Sequence, residues 1–596
     1  MGRAVVVFRL VLADIRRHRA QAAMLLLAVT VATAAYALGL SLRGASQALY
    51  QQTREATAGP DVVALVPDPG PAVAPALTSL ARAPEVVAHN GPYRIVYATL
   101  TAGDVTSNVV VHGAAEKPGA VDRPLVTSGR WVRSGGAVLE RGFATALGVR
   151  VGDQVTIEGR AYPVVGIAVT AATSIYPWAA QIGPGGGPSD PSGLAWLTRS
   201  DARALAARND LPVTTAMDLK LRDPDATQAF VDAGHPELST VRVSFHTWQF
   251  KAGQDAVMLN NSQPILVVGS WLLGFLAIAG LAALAAGRAA EQTRRAGLLK
   301  AVGATPGLIA AVLLTEYLAP ALLAEALGLA LARLAEPAIA SPTASRIGEV
   351  AGPAGATIAA TTALAVAVAG LSTLRPTLRA LRTATVTALG GAARRPRHRP
   401  LLTALSALLP TPLLLGLRLT ARRPGRAVLQ ACSTATTLIA VIALLAVHAQ
   451  PVREYGLGSS ALANLRDVHD RRLLLAVTVL LIALAAVNTV ALAWTTAMEA
   501  RANMAVARTL GATPGQVSAG LSAAQLLPAL PGAVAGVPLG VFVFWLFSAG
   551  ETTTPPLSWM LAAALAALLA TAALTALPAR LAARRPVAPT LSAETA

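Results

Sequence analysis

Residues 291–307 read EQTRRAGLLKAVGATPG, and residues 499–515 read EARANMAVARTLGATPG. The second segment repeats the first at a constant offset of 208. Glu291 matches Glu499 and Lys300 matches Arg508, while Gly303–Gly307 and Gly511–Gly515 are identical. Each segment sits between two long apolar runs. A charged stretch punctuated by Gly and Pro, used twice in one apolar chain, implies a duplicated turn. A turn alone is not expected to need five identical residues, so the repetition favours a duplicated contact surface for a duplicated partner.

The chain has 596 residues, 54% hydrophobic and 13% charged, which is too apolar for an ordinary soluble protein. Crossing a bilayer takes roughly 20 apolar residues. Runs of that length lie at about 20–42, 265–286, 308–332, 353–374, 427–447, 473–498, 515–548 and 557–578. Residues 1–19 carry Arg9, Arg16, Arg17 and Arg19 beside apolar residues, and read as a cytoplasmic amphipathic helix lying on the membrane before the first span. Cys432, the single cysteine, excludes an intrachain disulfide.

Basic residues collect on alternate connections, whose combined +21 is offset by −3 elsewhere to give the net charge of +18. Residues 1–19 carry +4, 287–306 carry +3, 375–426 carry +11, 499–514 carry +1 and 579–596 carry +2. Residues 375–426 hold eleven Arg and no acidic residue. Basic loops face the cytoplasm, so both termini are expected there, and the excess of arginine over lysine points to a bacterial cytoplasmic membrane. A basic surface against anionic lipid accounts for the charge without nucleic acid.

The expected fold is an α-helical integral membrane protein, with eight transmembrane helices as two parallel four-helix repeats and one α+β extracytoplasmic domain. The first half holds a span at 20–42, the outer domain at 43–262, and three spans within 265–374 that include a coupling segment at 288–307. A basic cytoplasmic linker, 375–426, leads to a fifth span at 427–447. A short outer loop, 448–472, and three spans within 473–578 follow, with a second coupling segment at 496–515. Residues 579–596 form a cytoplasmic tail. Four spans per half give both halves one orientation, related by an axis along the membrane normal. In the outer domain Arg94–Leu100, Asn108–His112 and Asp218–Leu221 read as strands of a small mixed sheet, with a helix at about 225–233.

Catalytic signals are missing from the sequence. Lys117, Lys220, Lys251 and Lys300 are followed by Pro118, Leu221, Ala252 and Ala301, so no lysine can close a phosphate-cradling loop. No two of the eight histidines have the i, i+4 spacing of a helical zinc pair. The chain is therefore expected to be no enzyme and to hold no metal or cofactor. Two carboxylates, Glu316 and Glu325, fall inside an apolar run, where such groups are costly. Their repeat mates are Ala524 and Ala533, so neither serves both halves. A hydrogen-bonded role within the bundle is favoured over ion transport. Pro320 and Pro528 take matched positions in the re-entering spans.

Lys300-Ala301-Val302-Gly303-Ala304-Thr305-Pro306, its second copy Arg508-Thr509-Leu510-Gly511-Ala512-Thr513-Pro514, and the basic leading helix resemble the FtsX/MacB-type permeases of ATP-binding-cassette systems. Leu147–Asp153 and Tyr162–Ile167 resemble that family's extracytoplasmic domain. The resemblance implies a separate cassette ATPase dimer on the cytoplasmic face, which binds ATP and Mg. It implies export or mechanotransmission, with a lipid, lipoprotein, peptide or drug as cargo. Coupling to the ATPase would fall to Arg288, Glu291, Arg294, Arg295, Lys300, Gly303, Ala304, Thr305 and Pro306, and to Glu499, Arg501, Arg508, Gly511, Ala512, Thr513 and Pro514. The chain departs from four-span members in fusing two permease halves and in lacking a large second outer domain. A non-transporting regulator of an envelope enzyme is the alternative, and an ion-coupled transporter ranks below it.

Overall fold

The computed structural model describes residues 19–67, 70–239, 241–259, 262–287, 296–340, 344–347, 354–382, 409–422, 424–450, 455–458, 460, 462, 464–547 and 554–583. Helix α1 (Arg19–Ala56) leads into ten strands. These are β1 (Val62–Val66), β2 (Val86–Ala102), β3 (Val105–Ala114), β4 (Leu125–Gly129), β5 (Ala137–Glu140), β6 (Gln154–Ile157), β7 (Arg160–Val169), β8 (Gly193–Thr198), β9 (Val213–Leu221) and β10 (Ser244–Thr247). Helices α2 (Trp248–Leu259), α3 (Ser262–Gly287), α4 (Pro306–Ala340) and α5 (Gly355–Arg382) complete the first half. The second half holds α6 (Thr411–Arg422), α7 (Pro424–Ala449), α8 (Leu465–Glu499), α9 (Arg501–Thr509), α10 (Pro514–Phe547) and α11 (Leu557–Ala583).

The strands form one mixed sheet in the order β10-β1-β9-β2-β3-β8-β5-β7-β4, with β6 pairing β2 and β7. Among the described strands, only β3–β8 and β5–β7 run parallel. Alternation divides the side chains: Val109 and Val111 of β3 join one core, and Val110 joins the core on the opposite face. The sheet is larger than the small one expected, because β5, β6 and β10 are four residues each and too short to stand out from their loops.

Among the described residues, five helical segments are long and apolar enough to cross a membrane: Gly307–Glu336, Pro424–Ala449, Asp467–Ala497, Pro514–Phe547 and Leu557–Ala576. Helices α1, α3 and α5 carry shorter apolar stretches, Leu26–Ser41, Pro264–Gly280 and Gly355–Leu371. The packing repeats between halves. Helix α1 packs on α3 and α4 as α7 packs on α8 and α10, and α4 packs on α5 as α10 packs on α11. Gly328 of α4 and Gly536 of α10, 208 apart, admit the close approach of α1 and α7 respectively.

The halves meet where α3 packs on α8. Leu273, Leu276 and Ala277 share a buried core with Leu481, Leu484 and Ala485, their mates at the 208 offset. A Cβ added to Gly269 would lie 2.5 Å from Val477 Cγ1, and one added to Gly280 would collide with Asn488. Both pairs are again 208 apart. Mates therefore touch at two levels separated by about 16 Å of helix. Only an axis running along the helices lets equivalent residues meet at both levels, so the repeats are parallel.

Four connections grip the sheet domain. Helix α1 continues past its apolar stretch, and Tyr50 Oη donates to Ala171 O at 3.2 Å. The link between α4 and α5 inserts Arg346, which is 4% exposed. Its Nε donates to Asp255 Oδ2 at 2.7 Å and its Nη2 to Thr173 O at 2.9 Å. Ile347 N donates to Thr53 Oγ1 at 3.0 Å, which ties that link to α1. Asp255 belongs to α2, which leads toward α3. The fourth grip comes from the second half: Leu457 N donates to Thr106 O at 2.8 Å, Thr106 N donates to Ser460 Oγ at 2.9 Å, and Leu462 is buried in the domain's core.

Arg346→Met leaves Asp255 as an unpaired buried carboxylate. It should cost about 3–5 kcal/mol, read as a lowered melting temperature of the full chain in detergent. An unchanged melting temperature would remove Arg346 from the anchorage.

Candidate functional site

The described parts of the two repeats, 296–307 and 499–515, form elbows that lead into α4 and α10. Arg288, Glu291, Arg294 and Arg295 lie outside the described residues. Residues 296–301 are helical, as α9 is in the second elbow. Each helix ends on a glycine with a left-handed backbone, Gly303 at φ 90° and Gly511 at φ 99°. Gly303 N donates to Lys300 O at 3.0 Å and Ala304 N to Leu299 O at 2.9 Å. Gly511 N donates to Arg508 O at 3.1 Å and Ala512 N to Ala507 O at 3.0 Å. This pair of bonds, one spanning five residues and one spanning three, closes a helix end and calls for glycine at the left-handed position.

The next helix starts at once. Thr305 Oγ1 accepts Leu308 N at 3.4 Å, and Thr513 Oγ1 accepts Gln516 N at 3.2 Å. Gln516 Oε1 accepts Thr513 N at 3.0 Å, which completes a capping box. Pro306 and Pro514 stand at the first helical position, where the missing N–H costs nothing. Matched cores sit behind the turns: Ala296, Ala304 and Ile309 in one, Met504, Ala512 and Val517 in the other.

Gly, Thr and Pro of Gly-Ala-Thr-Pro-Gly are thus required by a helix–turn–helix, and Ala enters each elbow's core. This corrects the expectation that a turn could not explain the identity. The exception is the final glycine. A Cβ at Gly307 would meet nothing within 4 Å, and one at Gly515 would meet only Thr513 Oγ1 at 3.9 Å.

Sequence reading missed the most exposed apolar residues of the elbows. Val302 is 88% exposed and Leu510 is 84% exposed, and they are mates at the 208 offset. One turn earlier, Leu298 and Val506 are also mates and also exposed. Each elbow so presents an i, i+4 apolar pair facing away from its own core. The signal was present as apolar residues out of phase with the elbow core. Lys300 and Arg508 lie beside these pairs, partly exposed, and Glu499 and Arg501 mark the α8–α9 junction.

Glu325 is buried, and its Oε1 accepts hydrogen bonds from Thr362 Oγ1 at 2.5 Å and Thr361 Oγ1 at 3.3 Å, both on α5. Glu316 is buried as well and also has a partner. These carboxylates sit within the packed first half and apart from the elbows. Among the described residues no cluster of three or more His, Cys, Asp or Glu could hold a metal ion.

The sheet domain buries charge where α1 and α2 meet it. Asp61 pairs with Arg54 and with Lys220 Nζ at 3.0 Å. Lys251 Nζ is buried with no hydrogen-bond partner. Desolvation pulls its pKa down to about 7, against the pull of Asp218 and Asp122. Desolvation raises Asp218 to about 8 and Asp122 to about 6. His112 falls to about 3 and His246 to about 4, through burial first and Lys251 second.

The histidine shifts are depressions, so their contribution to stability is present above the unfolded value near 6.5 and is lost as pH falls. The two aspartate shifts are elevations and act in the opposite sense, so a difference between variants is the clean readout. His112→Gln should change stability by a constant amount above pH 7. The difference should move in the variant's favour between pH 6.5 and about 4. A difference that stays flat throughout would show that His112 is not held neutral by burial.

The family description "FtsX-like permease C-terminal" matches residues 267–385 and again 475–587, and "MacB-like periplasmic core domain" matches residues 22–234. The two permease matches begin 208 residues apart, as the elbows do. No curated protein matches the chain. Among solved structures, the chain is similar to the extracellular domain of the noncanonic ABC-type transporter YknZ from Gram-positive bacteria. That match has 10% identity, covers 31% of this chain and 98% of that one, and has a TM-score of 0.21. With both permease halves and the core domain matched, the chain belongs to the FtsX/MacB-type permease family and is a membrane subunit of the ABC-transporter type.

Proposed function

We propose that the chain is the permease of an ATP-binding-cassette system in a bacterial cytoplasmic membrane, with eight spans arranged as two four-span halves. The elbows and both termini face the cytoplasm, and the sheet domain stands on the opposite side. A separate dimeric ATPase binds ATP and Mg, and this chain carries no hydrolytic site or cofactor. The observation that carries the reading is the matched pair of exposed apolar patches, Leu298 with Val302 and Val506 with Leu510. Two like patches on two like elbows suit a partner with two like acceptor pockets. The open glycines 307 and 515 leave room for a partner's backbone.

The grip on the sheet domain supports delivery of motion to it. Nucleotide-driven closure of the ATPase would draw the elbows together, and α1, α2 and the α4–α5 link would carry the displacement outward. Export of a lipid, lipoprotein, peptide or drug and regulation of an envelope enzyme both fit such a stroke. They separate on whether cargo moves in vesicles reconstituted with the ATPase. The threonine partners of Glu325 favour a packing role over ion coupling. Glu316→Gln with Glu325→Gln is accordingly expected to leave ATP-driven function in place.

Val302→Asp with Leu510→Asp should weaken binding of the co-expressed ATPase at least about tenfold, because exposed apolar anchors dominate such contacts. Stability should stay within about 0.5 kcal/mol, since both residues face solvent in the free chain. Undiminished co-purification would exclude these patches as the docking site, whatever the effect of reversing Arg294, Arg295 and Arg508.

A further inference from the structure

The seam between α3 and α8 carries a size code. At both levels where repeat mates touch, the first half supplies glycine and the second half a larger residue: Gly269 against Val477, and Gly280 against Asn488. Between them the mates are alike or identical, Leu273 with Leu481, Leu276 with Leu484 and Ala277 with Ala485, all buried. The seam is thus near-symmetric in shape and asymmetric at two points on its axis.

Asn488 is 3% exposed, and its Nδ2 donates to Leu276 O at 2.9 Å. That carbonyl lies one turn before Gly280. A side chain at 280 would lean back over this turn and cover it. The missing Cβ is what admits the amide. A polar amide placed once in an apolar helix seam fixes register, because sliding the helices strands its hydrogen-bonding groups among hydrocarbon.

We infer that positions 280 and 488 form a single site on the internal two-fold axis with room for one side chain, and that Asn488 filling it makes each half recognise the other. Two first halves would meet with glycine facing glycine and leave a void. Two second halves would meet with asparagine against asparagine, and valine against valine, and could not close. The seam accepts one of each, which is what a single chain provides. Asn488 is a positioning residue that holds the α3–α8 seam in register. The inference stands on seam packing alone and does not depend on the ATPase reading.

The internal symmetry supplies a test by exchange. In the full chain purified in detergent, Gly280→Asn should lower the melting temperature strongly by crowding two amides, and Asn488→Gly should lower it by emptying the site. Combining the two moves the amide across the axis and should recover most of the loss, so the double variant should melt above Gly280→Asn alone. A double variant that loses the sum of the two single losses would overturn the shared site. Should Gly280→Asn yield no folded protein, Gly280→Ala serves instead. Its loss should shrink in an Asn488→Ala background, and a loss of equal size in both backgrounds would overturn the inference.

Discussion

Two halves of one chain that run the same way through a membrane can meet in a symmetric manner only about an axis parallel to their helices. That constraint organises the structure. It places α3 against α8, with mate facing mate from Gly269–Val477 to Gly280–Asn488. It also puts both elbows at one end of the bundle, because each elbow joins corresponding helices of its half. A turn that must stop one helix and start the next within a few residues has few solutions in sequence. Glycine in the left-handed region, threonine as cap and proline at the first helical position meet the need. The chain uses that solution twice.

The opposite end of the bundle does not follow the symmetry. The first half carries the ten-stranded domain, and the second contributes only a short connection. That connection is not idle, since Leu457, Ser460 and Leu462 fasten it to β3 and to the domain core. The sheet domain is therefore held by both halves, so any relative displacement at the seam would strain one shared domain. Buried charges such as Arg346 with Asp255, and Asp61 with Arg54 and Lys220, join the links to the domain at fixed points. Such pairs are costly to break singly, which suits a rigid grip.

Much of this was legible in the residues. The 208 offset showed because charged, Gly- and Pro-rich elbows interrupt long apolar runs. Arg94–Leu100 and Asn108–His112 showed as strands because β-branched residues cluster there, and they fall inside β2 and β3. Arg346 was not legible. It sits in a polar link, and its burial depends on Asp255, 91 positions away. Leu462 looked like a loop residue for the same reason. Val302 and Leu510 were passed over because an apolar residue on a helix reads as core until the direction of the core is known. Asn488 hid within an apolar span, and only the facing Gly280 gives it meaning. The elbow's identical residues misled in the other direction, since helix-capping chemistry accounts for most of them.

In the proposed arrangement the two elbows are equivalent and lie on the membrane face opposite the sheet domain. Cys432 is the single cysteine, so one substitution gives a cysteine-free background. Single cysteines at 302, 510 and the exposed sheet-domain position 87 can then be probed in intact cells and in inverted vesicles with a membrane-impermeant maleimide. Positions 302 and 510 should label only in inverted vesicles and position 87 only in intact cells. Labelling of 302 and 510 from opposite sides, or of either from the side that labels 87, would contradict the account.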